Sequence, residues 1–330
     1  MTGIFCGDVG VLVYEARLNP TKKDESASKS SLMSNVLLLH CAGFSEVIVA
    51  INKMDSVQYS QAFFESTKAD LFQFFKMTSL DKEKVKFVPV SVESGDNLYS
   101  KTTKMPWYSG KSLFNEICSF HPPLHLTNSS LRILVHSLIV TKSVGTIING
   151  YIVSGTLQVG SMLSFLPSKM TGKCLSIEQN RVKREKVLAG ADVAFCVEGV
   201  KKGDIERGMV VTEKTQPKSV LSFCAKIVVV GERRNIRVGY SPTLNVGACH
   251  IPCCIKKLQS LINKSNGEVE EENPEVITTG DVAVVKILPD KLAYIEDITL
   301  CEKLAKFVVS DNNQIVAIGV VLQVEYRIEK

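Results

Sequence analysis

No apolar run of the length a membrane helix needs, about 18 residues or more, occurs in this 330-residue chain. The amino terminus has no charged-then-apolar pattern either, so the sequence predicts neither a membrane span nor secretion, and a cytoplasmic protein is the expectation. A strong excess of one sign of charge is also missing: 39 Lys and Arg face 34 Asp and Glu, a net +5 that permits a nucleic-acid partner without arguing for one. Aromatic residues are sparse at 7%, with a single tryptophan. The ten cysteines are scattered, and Cys196 and Cys224 sit inside apolar runs, which predicts reduced, buried thiols and excludes a disulfide framework. Also missing is any Gly-x-x-x-x-Gly-Lys-Ser/Thr stretch, the loop whose backbone N–H groups, lysine and hydroxyl cradle a phosphate chain and its magnesium.

What is there centres on Val47-Ile48-Val49-Ala50-Ile51, an apolar and mostly β-branched run that reads as a buried parallel strand. It leads directly into Asn52-Lys53-Met54-Asp55. Ligands of open α/β sheets bind at the carboxyl ends of strands, and this tetrapeptide has the chemistry to read guanine there. The Asp55 carboxylate can accept from the ring N–H and the exocyclic amine of guanine, whereas adenine offers a different edge and would leave the acceptors unpaired. The Asn52 amide can bond the base and brace the loop, and the Lys53 stem can lie over the purine with its ammonium in water.

Around that strand, Val9–Ala16 and Phe87–Val90 read as further strands. Ser34–Ala42, ended by Gly43, reads as a helix packed by its leucines. Ser60–Met77 reads as a second helix, with Phe63, Leu71, Phe74 and Phe75 on one face. Asn19–Ser31 is polar and predicts an exposed loop. Alternating strands and helices predict a doubly wound parallel sheet. After Pro122-Pro123 the helical signal fades. Leu131–Val140, Gly150–Val153, Ser161–Phe165, Lys173–Ile177 and Val193–Val197 are short strands between glycine turns, the pattern of a β-barrel, and Phe223–Val230 starts a second such run. Asn266-Gly267 between Ile262 and Val269 predicts a hairpin.

Asn52-Lys53-Met54-Asp55-Ser56, Phe87-Val88-Pro89-Val90-Ser91, Gly95-Asp96-Asn97 and Met105-Pro106-Trp107-Tyr108, in that order and spacing, resemble the latter half of the GTPase domain of the elongation factor 1-alpha family. Met1-Thr2-Gly3, Asp8 and the strand to Ala16 look like the family's segment just after its Asp-x-Pro-Gly-His motif, which itself occurs nowhere in this sequence. Val144-Gly145-Thr146 with Gly150–Leu157, and Asp204–Val210, resemble the second domain of translational GTPases. Gly239-Tyr240-Ser241-Pro242, His250-Ile251-Pro252-Cys253 and the end from Asp311 to Val320 resemble the third domain of elongation factor 1-alpha.

The resemblance implies an α/β plus all-β protein: part of a P-loop-type GTPase domain over 1–121, then β-barrels over 122–214 and 215–330. It implies guanine contacts from Asn52, Lys53, Asp55 and Ser91, the last opening the family's second guanine motif. It implies GTP or GDP with magnesium as the family's ligand, weakened or lost here because phosphate loop and switches are missing. A sheet lacking its first strand would also expose an edge and apolar surface. Aminoacyl-tRNA, the ribosome and a nucleotide-exchange factor are the implied partners, with no membrane. Two departures bear on tRNA: the family's Gly-Arg-Val-Glu-Thr-Gly reads Gly150-Tyr151-Ile152-Val153-Ser154-Gly155 here. A barrel pair binding tRNA, ribosome or protein without catalysis, and a ribosome-rescue or termination-type relative, are the alternatives. No catalytic residue is assigned, since none of His40, His121, His125, His136 and His250 stands in a matching motif. No metal site is assigned either, because on a strand Cys249 and Cys253 face one side and His250 and Cys254 the other. Lys169, Lys173, Arg181, Lys183, Arg184 and Lys186 read as a solvated face, with a phosphate-backbone contact as the alternative. They lack the interleaved aromatics of a base-stacking platform.

Overall fold

The computed structural model describes residues 7–17, 22–44, 46–75, 82–121, 125–141, 145–213, 218–231, 234–312 and 314–328. The chain divides into two compact units, Gly7–Pro123 and the remainder from Leu124.

In the first unit, β1 (Gly10–Glu15), α1 (Lys22–Ala42), β2 (Val47–Asn52), α2 (Gln61–Phe75), β3 (Val85–Pro89) and α3 (Leu113–Cys118) follow one another. The strands form a parallel sheet in the order β1-β2-β3, with Gly10 opposite Val47 and Val47 opposite Val85. Strand β2 is central, and from Val47 to Ile51 every residue is buried, as its unbroken apolar run requires. Ile48 and Ala50 pack with Val88 and Val90, under Leu98, Tyr108 and Leu113.

Two expectations change here. Lys22–Ser31, read as loop, is the first half of α1; Asn19–Thr21 lie outside the described residues. Lys, Glu and Ala are strong helix formers, and extending a helix already anchored by Leu32, Val36 and Leu39 costs far less than starting one. Helix α2 buries Phe64, Thr67, Leu71 and Phe75, while Phe63 is only half-buried. At the start of the helix the Ser60 hydroxyl accepts the Phe63 N–H.

The second unit is built on two barrels, each a closed sheet with a small separate two-stranded sheet beside it. The first uses β4 (Arg132–Thr141), β5 (Gly145–Ser154), β6 (Thr156–Gln158), β7 (Met162–Leu166), β8 (Thr171–Gln179), β9 (Val182–Arg184), β10 (Lys186–Leu188), β11 (Asp192–Val197) and β12 (Val210–Glu213). Its order β11-β5-β4-β12-β7-β8 closes through pairing of β11 with β8. The second uses β13 (Lys218–Val229), β14 (Asn235–Ile236), β15 (Thr243–Val246), β16 (Cys249–Ile262), β17 (Val269–Glu272), β18 (Ile277–Thr278), β19 (Val282–Pro289), α4 (Glu302–Ala305), β20 (Lys306–Asp311) and β21 (Gln314–Ile328). Its order β15-β20-β21-β13-β19-β16 closes through β15 and β16. Each barrel has its own apolar core, around Ile133, Ile152 and Phe165 in one and around Phe223, Ile255 and Phe307 in the other. The hairpin at Gly267 forms, with Ile262 opposite Val269.

The barrels meet along a seam. Arg132 Nε donates to both Glu296 oxygens, at 2.9 and 2.8 Å, and Glu296 is only 2% exposed. The buried Tyr294 hydroxyl donates to the same carboxylate at 2.5 Å. Gly208 has a φ of 94°, and a Cβ there would fall 2.7 Å from the Cys249 Cα, so only glycine allows this approach. Lys303 lies 4.8 Å from the centre of the Tyr151 ring, and that ring is 2% exposed.

Candidate functional site

Strand β2 ends at Asn52, and the chain turns there because Lys53 adopts a left-handed φ of 63° before a single 3-10 turn, Met54–Val57. That turn brings Asp55 back toward the end of β3. Asp55 Oδ1 accepts the Ser91 hydroxyl at 2.5 Å, and Asn52 Oδ1 accepts the Val92 N–H at 3.1 Å. Two of the four residues expected to contact guanine, Asp55 and Ser91, are therefore hydrogen-bonded to each other at the carboxyl end of the sheet, and Asn52 bonds the neighbour of Ser91. Lys53 lies beside them, half-exposed, and its ammonium is ion-paired with Glu15 at the end of β1. Arg17 closes the same carboxylate at 2.6 Å, and these two partners, Arg17 first, hold Glu15 below the usual glutamate range.

Apart from Ser91, the residues that fix this loop were given no role by the sequence. Ser91 is fully buried and its N–H bonds the Asp96 carbonyl at 3.1 Å. The Ser94 hydroxyl stands 2.8 Å from the Ser91 oxygen and 2.7 Å from Asp96 Oδ2. Asp96, 9% exposed, also accepts from Thr102 at 2.6 Å, Tyr59 at 2.9 Å and Lys104 at 2.9 Å. Burial alone would raise its pKa, but the hydrogen bonds from Thr102, Ser94, Lys104 and Tyr59 outweigh it and hold the carboxyl far below the ordinary range. Asn97, at a φ of 56°, donates to the Pro89 carbonyl at 3.0 Å and accepts the Thr102 N–H at 2.9 Å. Gly95-Asp96-Asn97 was visible in the sequence only as part of the family resemblance; the hydroxyl partners of Asp96 lie up to 37 positions away, and no local pattern announces them.

Asp55 Oδ2 has the Ser56 hydroxyl, at 3.5 Å, as its one described contact. Among the described residues no group of three or more His, Cys, Asp or Glu side chains could hold a metal ion.

The barrel residues singled out from sequence are placed differently. Tyr151 is buried in the seam against Lys303, so its side chain offers no surface to a large ligand. Along β16, Cys249, Ile251 and Cys253 point inward while His250 and Pro252 point out, as strand alternation requires. His250 bonds Asn245 at 2.6 Å. The six basic residues from Lys169 to Lys186 are all exposed. No described helix is long and apolar enough to cross a membrane.

Comparison with known proteins agrees with this architecture. The profile of elongation factor Tu domain 2 matches residues 145–212, and that of the GTP-eEF1A C-terminal domain-like family matches residues 222–322. The chain is 32% identical to elongation factor 1-alpha of Plasmodium falciparum, over 98% of its own length and 74% of the relative's. It is also 32% identical to that of Archaeoglobus fulgidus, over 99% and 76%. Among solved structures, the apo elongation factor SelB of Methanococcus maripaludis aligns over 97% of this chain and 64% of its own, at 19% identity and a TM-score of 0.68. Sup35 complexed with GMPPNP aligns over 96% and 78%, at 23% identity and a TM-score of 0.56. With a parallel sheet followed by two closed barrels, and relatives of this identity over nearly its whole length, the chain belongs to the elongation factor 1-alpha family.

Proposed function

We propose that this chain is an elongation factor 1-alpha-type translation protein whose loop at Asn52, Lys53, Asp55 and Ser91 reads guanine, and whose affinity for GTP and GDP is weak. The observation carrying this reading is the hydrogen-bonded set Asn52–Val92 and Asp55–Ser91 at the end of β2. Asp55 selects guanine by accepting from its ring N–H and amine, Ser91 holds that carboxylate, and Asn52 fixes the loop. Lys53 would leave Glu15 to cover the base. GTP or GDP, with magnesium, would be held at its base by these side chains. Its phosphates lack a cradle, since the 330 residues contain no phosphate-loop pattern. Guanine contacts alone do not replace several phosphate hydrogen bonds and a metal, so hydrolysis is not expected of this chain. Aminoacyl-tRNA and the ribosome are the proposed partners, met by the barrels, and a nucleotide-exchange factor has little to act on when nucleotide is weakly held.

Titration of the 330-residue chain with a fluorescent GDP analogue, with and without magnesium, tests the reading. Weak binding, competed by GDP and not by ADP, is expected. Sub-micromolar, magnesium-dependent binding would overturn the weakness, and equal competition by ADP would overturn the guanine assignment.

A further inference from the structure

Each barrel carries one strand that lies outside its ring. In the first barrel β9 follows β8 and ends the sheet, and in the second β17 follows β16 and ends the sheet. Neither has a described partner on its outer side, and every residue of both is exposed. Their unpaired main-chain groups can be located. Gln179 stands opposite Val182 across the turn Asn180-Arg181, whose φ values are 52° and 65°. A two-residue turn of this kind closes with its flanking residues bonded to each other, so the N–H and C=O of Lys183 face away from β8. Asn273 donates to the Gln259 carbonyl between β17 and β16. By the same alternation the N–H and C=O of Glu272 face away from β16. Open edges of this kind accept another strand.

Charge selects which strand. Around β9, the exposed Arg181, Lys183, Arg184 and Lys186 outnumber Glu185 and, across the hairpin, Glu178. From 268 to 275 the chain has five glutamates and no basic residue. Among the described residues none of Lys183, Arg184, Glu271 and Glu272 has an ion-pair partner. A glutamate edge repels another glutamate edge, and a lysine-arginine edge repels its own kind. These two edges carry opposite signs, so each is the other's natural partner. Within one chain they end separate sheets, and the complement is available from a second copy. A nucleic acid suits β9 less well. No aromatic residue is interleaved with these cations, and a phosphate chain on β9 would leave the open acidic edge of β17 without an occupant.

We propose that β9 of one molecule pairs edge to edge with β17 of another, joining copies head to tail. The contact uses two different surfaces, so each molecule keeps a free strand for its next neighbour, and assembly grows with concentration. Two short strands bury far less than the roughly 1,200 Å² of a stable interface, so the association is weak. Sedimentation velocity over a concentration series tests it, at about 0.1 M and about 1 M salt, where charges act over roughly 10 Å and 3 Å. Association of the 330-residue chain is expected to fall several-fold at the higher salt. The variants K183E/R184E and E271K/E272K change exposed side chains only. Each should match the parent by circular dichroism and lose the salt-sensitive association. An equimolar mixture of the two should regain it, because the acidified β9 meets the basic β17 and the two unaltered strands still match. A folding fault in either variant cannot produce that rescue. Association equal in both salts, no association of the parent, no loss in either variant, or a mixture that regains nothing would each overturn the proposal. So would a K183E/R184E variant that loses binding to RNA and keeps its self-association.

Discussion

Both barrels return to themselves: β11 pairs with β8 in one and β15 with β16 in the other. Neither six-strand ring therefore has an open edge, and each encloses its own core. The parallel sheet ends differently. Among the described residues β1 has a neighbour on one side only. Ala16 donates to the Asn52 carbonyl, so by alternation the main-chain groups of Val11, Val13 and Glu15 face away from β2. Val11 and Val13 also stand 39% and 63% exposed, opposite Ile48 and Ala50, which are covered on that face. Stability in the barrels rests on closure and a buried seam. In the sheet it rests on the helices and on the hydrogen-bonded loop after β3.

The largest effect should come from the seam. Glu296→Ala leaves the Arg132 guanidinium, itself 13% exposed, without its carboxylate, and removing one partner of a buried pair costs about 3–5 kcal/mol. Urea unfolding followed by far-UV circular dichroism should show this loss. Trp107 emission reads the other unit and should keep its midpoint; an equal shift in both signals would mean that sheet and barrels unfold as one. Gly208→Ala attacks the same seam through the backbone. Strain at its positive φ costs about 1–3 kcal/mol, with the clash against Cys249 added, and the barrel transition alone should report it.

How much of this difference was legible in the sequence depends on how far apart the partners lie. Strand β2 declared itself in one apolar run, and Asn52 and Asp55 follow it within a few residues, so strand and loop were both readable. The closed barrels were announced by short strands between glycines. The Arg132–Glu296 pair spans 164 positions, and nothing near either residue marks it. Tyr151 was visible only as a departure from a family pattern, and its burial against Lys303 needed the fold. The first half of α1 was misread because its composition is polar, and a polar half-helix and a loop look alike in sequence until one knows what anchors the next turn.

On the sheet side, the corresponding variant is Asp96→Asn. It weakens the acceptor for Thr102, Ser94, Lys104 and Tyr59 while keeping shape, and should cost about 1–3 kcal/mol at neutral pH. The folded-state pKa of Asp96 is depressed, so its contribution is fully present above the unfolded value, about 3.9, and is lost as pH falls below it. Parent and variant should therefore converge in acid. Trp107 emission during urea unfolding at a series of pH values measures both, and a difference that grows toward acid would contradict the assignment of a charged Asp96.

The smallest effect on stability is expected where the two regions differ most. Val13→Lys places a charge on the open face of β1, where the native side chain is already mostly in water, so folding stability should change by no more than about 0.5 kcal/mol. Edge strands that carry β-branched apolar residues pair with other strands, and a lysine there blunts that tendency. Sedimentation velocity over a range of concentrations should show less self-association in the variant than in the parent. A matching lysine at Leu175, 54% exposed but on β8, which is paired on both sides, should leave association unchanged. If Leu175→Lys suppressed association as strongly as Val13→Lys, exposed apolar area alone would be responsible, and the unpaired edge would not be what separates the sheet from the barrels.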